Sequence, residues 1–494
     1  MSAERPEPDD VVELLSFRPG HGQLQLAFDR EAVAERLAQP GPTLRSAHAV
    51  AAPVHPAGLA AARAAVWRET GGIEAEDVAE LTEGALFRRP PPARDPFDPA
   101  VGKWAAVVLR DDAEAAREAL APLLALRASE GVAFDPDGPS PGMLVVDRPA
   151  ADKPSLWEEA LRDAAGAPPH HLLLIGGPER FPFELASWWS TRRILGVLDV
   201  ADDPLGPLSW PAVHRYAAKV RDRAAAPAAL TRRALVYAVR TDAATRRSHD
   251  KLATPLLAFL DKQAGTLPPV PLLGNAATTP GLLDASCSER PALVVTCTHG
   301  IEYPGDPRHW GALTSAIDPE VPDSLLSVDR VADQPFADGG VVFAFACFSA
   351  GIPARSALTE MLSPGEQRPA QVPRIAPLPR LVLGQDRGPL AFIGHVDRAT
   401  TGGYTGFEGT AAFEDLADFV LGGLGTIGQG MSTFWELAAR ASHDLVTALK
   451  PDAGTTSQQK VAAWIRSLDS AGWLLLGDPC VRLFPPPPPR GRSL

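Results

Sequence analysis

Two apolar runs in this 494-residue chain stop at side chains capable of covalent chemistry. Leu293-Val294-Val295-Thr296-Cys297-Thr298 leads to His299-Gly300, and Val341-Val342-Phe343-Ala344-Phe345-Ala346 leads to Cys347, 48 residues beyond the histidine. In an open parallel sheet the crevice lies beyond the carboxyl ends of the strands. Neighbouring strands that end in this way would therefore point an imidazole and a thiol into one cleft. A thiol with an ordinary pKa of about 8.5 becomes a strong nucleophile once a histidine helps remove its proton. Acyl transfer also needs donors for the oxyanion, usually backbone N–H groups beside the nucleophile. Those of Gly300 and Cys347 are the expected pair, because Gly300 lets the backbone approach a substrate and Ser349-Ala350-Gly351 are small. A lone buried cysteine is usually a small hydrophobe, and a lone histidine a satisfied core residue. The pairing of the two at strand ends, each before small residues, is the stronger signal.

The elements that must hold them read as strands alternating with helices, which means parallel pairing. Ala105–Leu109, Met143–Asp147, His171–Gly177 and Ile194–Val200 read as strands, with helices over Ala113–Arg127, Ser155–Ala164 and Val213–Arg223. A second unit starts at Ala234–Val239, carries a helix over His249–Gln263, and continues through Leu390–His395. Helices near Ala411–Leu421, Thr433–Leu449 and Gln458–Ser470 lead to a last apolar element at Trp473–Pro479. Before residue 100 the pattern is weak, with amphipathic helices expected at Arg30–Leu37 and Leu59–Arg68. The division expected is 1–100, of uncertain fold and suited to regulation; 101–228, a non-catalytic α/β subdomain; 229–484, the catalytic domain; and 485–494, a Pro-rich tail.

Thr298-His299-Gly300 with Ala346-Cys347-Phe348-Ser349-Ala350-Gly351 resembles the catalytic dyad of the caspase-like cysteine peptidases, nearest to the gingipain-like and CHAT branches. The spacing fits a histidine about 50 residues upstream of the nucleophile. Leu173–Pro182 resembles the strand and turn of a non-catalytic first subdomain, Ala391–Arg398 the strand after the catalytic cysteine, and Leu476-Gly477-Asp478-Pro479 a closing motif. The resemblance spans roughly residues 103 to 484. It implies a caspase-like parallel sheet flanked by helices and a metal-free thiol endopeptidase acting on protein or peptide substrates, with His299 and Cys347 catalytic. The caspase pentapeptide is absent: Phe345 stands where a glutamine helps hold a P1 aspartate, so aspartate specificity is not implied.

A basic P1 residue is one expectation. The first strand of the second unit runs out into Arg240-Thr241-Asp242, where a carboxylate would pair with Arg or Lys; a solvated loop aspartate is the plainer alternative. Glu302 is a second candidate for the pocket, and Asp397 is read instead as a support for His395. A zinc site using Cys297, His299 and Cys347 lacks a CxxC pair and a nameable fourth ligand, so neither metal nor cofactor is expected. No Walker loop is present, and Gly402-Gly403 and Gly422-Gly423 lack its spacing and its lysine. The rival from another class is a caspase-like fold kept as a silent scaffold or partner-binding module.

Composition narrows the setting. A net charge of −13 disfavours nucleic acid as an obligatory partner. No apolar stretch approaches the roughly 18 to 20 residues of a membrane span. The first residues lack a signal-peptide pattern, and the four cysteines at 287, 297, 347 and 480 are too few for a disulfide framework. A cytoplasmic protein is expected, with Ala, Pro, Arg and Gly usage in keeping with a high-GC bacterial coding bias. A cytoplasmic peptidase left open would be harmful, so control by a partner, a ligand or self-cleavage is expected, with residues 1 to about 100 as its place.

Overall fold

The computed structural model describes residues 11–19, 22–27, 29–38 and 97–485, apart from 136, 139, 227–229, 264, 303, 318–323, 359–370, 401–409 and 451–452. The helix expected at Leu59–Arg68, the glycine pair Gly402-Gly403 and the Pro-rich tail beyond residue 485 lie outside the described residues.

The first described elements are strands β1 (Val11–Arg18) and β2 (Gly22–Ala27), paired antiparallel, followed by the helix Arg30–Ala38 that the spacing predicts. From Trp104 onward the alternation holds. Strands β3 (Trp104–Leu109), β4 (Met143–Val146), β5 (His171–Ile175) and β6 (Ile194–Leu198) are separated by the helices Ala113–Ser129, Pro154–Ala165 and Phe183–Ser190. The second unit contributes β7 (Thr231–Ala238), β8 (Val270–Leu273), β9 (Pro291–Cys297), the short β10 (Gly300–Ile301) and β11 (Val341–Phe345). Short β12 (Gly351–Ile352) and β13 (Arg374–Ile375), then β14 (Ala391–His395) and β15 (Trp473–Gly477), complete it.

Ten of these strands form one mostly parallel sheet in the order β4-β3-β5-β6-β15-β14-β11-β9-β7-β8, and helices flank it. Strands covered on both faces read as continuous apolar runs, and β9 and β11 are buried at every residue. One face of β11 is set by aromatic packing. Phe343 and Phe345, two residues apart and so on the same face, stack on Trp473 of β15 with ring centroids 5.0 and 5.6 Å apart. Phe413 and Phe434 of the helices Ala411–Gly422 and Ser432–Ala448 close over Phe343. Each such ring pair contributes about 0.5–1.5 kcal/mol beyond its buried area.

The two units are fused by the last strand. β15 sits between β6 and β14, antiparallel to β14, and its approach to β6 is so close that a Cβ on Gly196 would lie 2.1 Å from the Gly477 carbonyl oxygen. Asp478, directly after β15, is fully buried and ties the joint together. Its carboxylate accepts from Trp104 Nε1 at 3.0 Å and from Arg127 Nη2 at 2.6 Å, while its N–H donates to the Tyr216 hydroxyl at 2.6 Å. The Leu-Gly-Asp-Pro motif is thus a structural seam.

Removing one partner of a buried ion pair leaves an uncompensated charge, at a cost of about 3–5 kcal/mol. Asp478→Ala is expected to lose about that much stability, read as a lower urea midpoint at unchanged slope. A loss below about 1 kcal/mol would mean that Glu130, the other carboxylate on Arg127, compensates the guanidinium alone.

Candidate active site

The register of two buried strands decides what meets at their ends. β9 and β11 pair in parallel with Phe345 opposite Cys297, so the residues that follow emerge side by side. Thr298 N–H donates back to the Phe345 carbonyl at 3.2 Å. His299 is then pinned through its main chain: its N–H donates to Thr314 Oγ1 at 3.3 Å, and its carbonyl accepts from Thr314 N–H at 3.0 Å. Gly300 comes so near the segment after β11 that a Cβ there would lie 1.8 Å from the Cys347 carbonyl oxygen, which only glycine allows.

The turn after Cys347 is also fixed by main-chain bonds. Phe348 holds a left-handed φ of 56°, and its N–H donates to the carbonyl of Asp397, itself at φ 70°. Ser349 Oγ lies 2.9 Å from the Ala344 carbonyl and 2.8 Å from that of Ala346, and accepts from His395 N–H at 2.9 Å. Ala350 N–H donates to the His395 carbonyl. The small residues expected to leave room for an oxyanion are instead spent on holding this bend.

Asp242 is brought in from the neighbouring strand. It follows β7 as the N-cap of the helix Ala243–Ser248, where Oδ1 accepts from Thr245 N–H at 2.9 Å. Its Oδ2 accepts from His299 Nε2 at 2.5 Å. A carboxylate only accepts, so Nε2 carries the proton and Nδ1 of the neutral ring is left as the basic nitrogen. Nδ1 is buried and bonds no group among the described residues. Burial opposes ionisation of Asp242, but the His299 bond and charge together with the Thr245 bonds outweigh it and lower its pKa to about 2. The expectation that Asp242 faces a basic P1 side chain is corrected accordingly, since both of its oxygens are committed.

The other two pocket candidates are corrected as well. Phe345 is wholly buried against Trp473, because the two-residue period of a strand turns it to the helix-covered face. Glu302 is buried to 0 % exposure and ion-paired to both Arg18 and Arg398. His395 Nε2 bonds the Asp469 carbonyl at 2.8 Å, while Asp397 offers His395 only its backbone carbonyl, at 3.4 Å, and uses its carboxylate on Ala357 N–H. Among the described residues no three His, Cys, Asp or Glu side chains group as a metal site requires, and no helix is long and apolar enough to cross a membrane.

Cys347 itself is closed off. It is 0 % exposed, and its Sγ bonds Ala399, accepting from the N–H at 3.1 Å and donating to the carbonyl at 3.4 Å, with no hydrogen bond to His299. Burial, and next the charge of Glu302, push the thiol well above its ordinary pKa. Its N–H, one of the two expected oxyanion donors, gives its hydrogen bond to the Leu15 carbonyl at 3.1 Å. Gly300, the other, pairs with Ser16 of β1. Sequence reasoning missed β1 at this site. The signal lay in Val11-Val12-Glu13-Leu14-Leu15-Ser16-Phe17, then Pro19-Gly20, then the alternation Gln23-Leu24-Gln25-Leu26, a hairpin pattern.

The fold and site together define an α/β protein with a thiol, an imidazole and a carboxylate gathered at the carboxyl ends of adjoining strands. No family model matches the chain, and no curated protein matches it. Among solved structures it is similar to one described as "Structure of Protease", at 14% identity over 79% of this chain and 80% of the other, with a TM-score of 0.47. It is also similar to a complex of Porphyromonas gingivalis RgpB pro- and mature domains, at 11% identity over 77% and 79%, with a TM-score of 0.45.

Two outcomes follow from these electrostatics. Iodoacetamide at pH 8 should alkylate the exposed Cys287 of the native protein within minutes and reach the buried Cys297, Cys347 and Cys480 far more slowly unless the protein is denatured, as read by peptide mass spectrometry. Because the folded pKa of Asp242 is depressed, its stabilising contribution is present above about pH 4 and is lost as pH falls through about 2. Asp242→Asn should flatten the stability profile in that window, measured by denaturation at stepped pH.

Proposed function

We propose that this chain is a cysteine endopeptidase of the caspase-like type, nearest to the gingipain-like and CHAT branches, acting on protein or peptide substrates. The observation that carries the reading is the Asp242–His299 pair beside Cys347 at the ends of three adjoining strands, β7, β9 and β11.

In the working site, His299 Nδ1 takes the proton of the Cys347 thiol and Sγ attacks the scissile carbonyl. The carbonyl oxygen gathers negative charge and accepts from Cys347 N–H. As the C–N bond breaks, His299 returns its proton to the leaving amine and a thioester remains. Water, giving a proton to the same imidazole, then attacks the thioester carbon; the acid leaves and the thiol is restored. Asp242 holds the ring so that Nδ1 is the basic nitrogen throughout and stabilises the imidazolium formed on the way.

The sealed thiol favours a second reading, a silent scaffold with the same fold, and one experiment separates the two. A protein substrate and a peptidyl acyloxymethyl ketone panel are incubated for hours with the full chain, long enough to sample local opening. The peptidase reading expects hydrolysis and a Cys347 adduct, both abolished by Cys347→Ala. It expects His299→Ala to lower turnover by about 10²- to 10⁴-fold, with Asp242→Asn lowering kcat more than it raises KM. Equal activity in the parent and Cys347→Ala would sink the peptidase reading in favour of the scaffold.

A further inference from the structure

β1 pairs with β2 through Val11–Glu13 and again through Phe17 and Arg18, but the register shifts between these two stretches. Leu14–Ser16, the residues without a β2 partner, are those that meet the catalytic centre. The Leu15 carbonyl accepts from Cys347 N–H at 3.1 Å, and the Leu15 N–H donates to the Ala399 carbonyl at 3.1 Å. Leu14 stands opposite Thr400 in an antiparallel bridge. Beyond Leu15 the strand runs alongside β10, with Ser16 opposite Gly300 and Phe17 opposite Ile301, and the Phe17 ring centroid lies 6.5 Å from that of His299.

We propose that β1 lies in the substrate groove in the register of a substrate, Leu15 being the residue presented to the nucleophile, so that the chain holds itself closed and the groove takes a large apolar residue at that position. The inference rests on the peptidase reading and deepens it by naming the closing element and the acyl-side preference. An extended segment that adds to exposed main-chain groups is bound through its backbone and selected by the pockets for its side chains. Here the donor beside the nucleophile, which an acyl-transfer site reserves for the oxyanion, holds a peptide carbonyl. The polarity also fits, because the residues after that carbonyl pass on the histidine side, where a leaving amine must receive its proton.

Side-chain surroundings set the preference. Leu14 and Leu15 are both fully buried in the main apolar cluster. The acids that would favour a basic residue are engaged elsewhere, Asp242 on His299 and Glu302 on β1 itself and Arg398. Glu302 acts as the latch. It accepts from Ser16 Oγ at 2.8 Å and Arg18 Nη2 at 3.2 Å, and its N–H donates to the Phe17 carbonyl at 2.8 Å. The strand stays uncut because Sγ is bonded to Ala399 and not to His299.

Two full-length variants release the strand by different means: Leu15→Asp places a charge in the apolar pocket, and Arg18→Glu sets a carboxylate against Glu302 at the rim. With folding checked by circular dichroism, each should raise iodoacetamide labelling of Cys347 at pH 8 by about tenfold or more over the parent. Each should also cleave peptides with Leu or Phe at the acyl position faster than those with Arg, Lys or Asp. A synthetic peptide of residues 11–18 should slow the labelling again, and the same peptide carrying Leu15→Asp should not. Unchanged labelling in a folded variant overturns the inference while leaving the peptidase reading to its own test. Fast labelling without peptide cleavage upholds the closing strand and sinks the peptidase reading. Cleavage that favours Arg, Lys or Asp overturns the apolar preference.

Discussion

The site depends on a single constraint: β9 and β11 are buried along their whole length and locked in parallel register, with Cys297 opposite Phe345. A slip of one residue would turn every side chain of a strand to the other face, which burial on both sides forbids. Polar chemistry can emerge only where the strands end, and the lock ensures that it emerges at neighbouring points. The contacts built around it follow from that, including the glycine pressed on Cys347, the Thr314 bonds to His299 and the arrival of Asp242 from β7, the next strand over.

Why the meeting of His299 and Cys347 at neighbouring strand ends could be read from the chain, and much else could not, is a matter of range. Apolar runs ended by His299 and Cys347 are local facts, and parallel pairing follows from strands alternating with helices, so the sheet and the pair at its rim were legible. Asp242 was found as a residue but given the wrong partner. Its Thr245 cap is local, whereas its bond to His299 spans 57 residues and depends on how β7 lies against β9. Phe345 was misplaced because a strand buried on both faces carries no mark of which face is the cleft. Glu302 looked like a free acid because its partners, Arg18 and Arg398, come from far away on either side. The hairpin near the start was missed although its turn residues and alternation mark one, and nothing in it announced where it docks.

At the closed centre burial and Glu302 outweigh the Ala399 N–H and the Arg398 charge, so the balance is toward rest. Burial and the charge of Glu302 hold the Cys347 thiol protonated, while the same Glu302, neutralised by two guanidinium groups, secures β1. One buried carboxylate thus disfavours the thiolate form of Cys347 and holds in place the strand beside it. Moving β1 aside would admit water and take Ser16 and Arg18 from Glu302 together, so exposure of the thiol and rearrangement of its charged neighbour belong to one event.

The position of β15 has a consequence in time. This strand is the last of the sheet to be made, yet it lies in the middle, between β6 and β14. Until residues 473–477 have been synthesised, both halves carry an unpaired strand edge, the kind of surface that invites pairing with other chains. At roughly 5–20 residues per second, β6 waits on the order of tens of seconds for its neighbour. Trp473, which stacks on Phe343 and Phe345 of β11, comes with it. A growing chain therefore holds His299 and Cys347 on an unfinished sheet, and their setting is completed only with the arrival of its final strand.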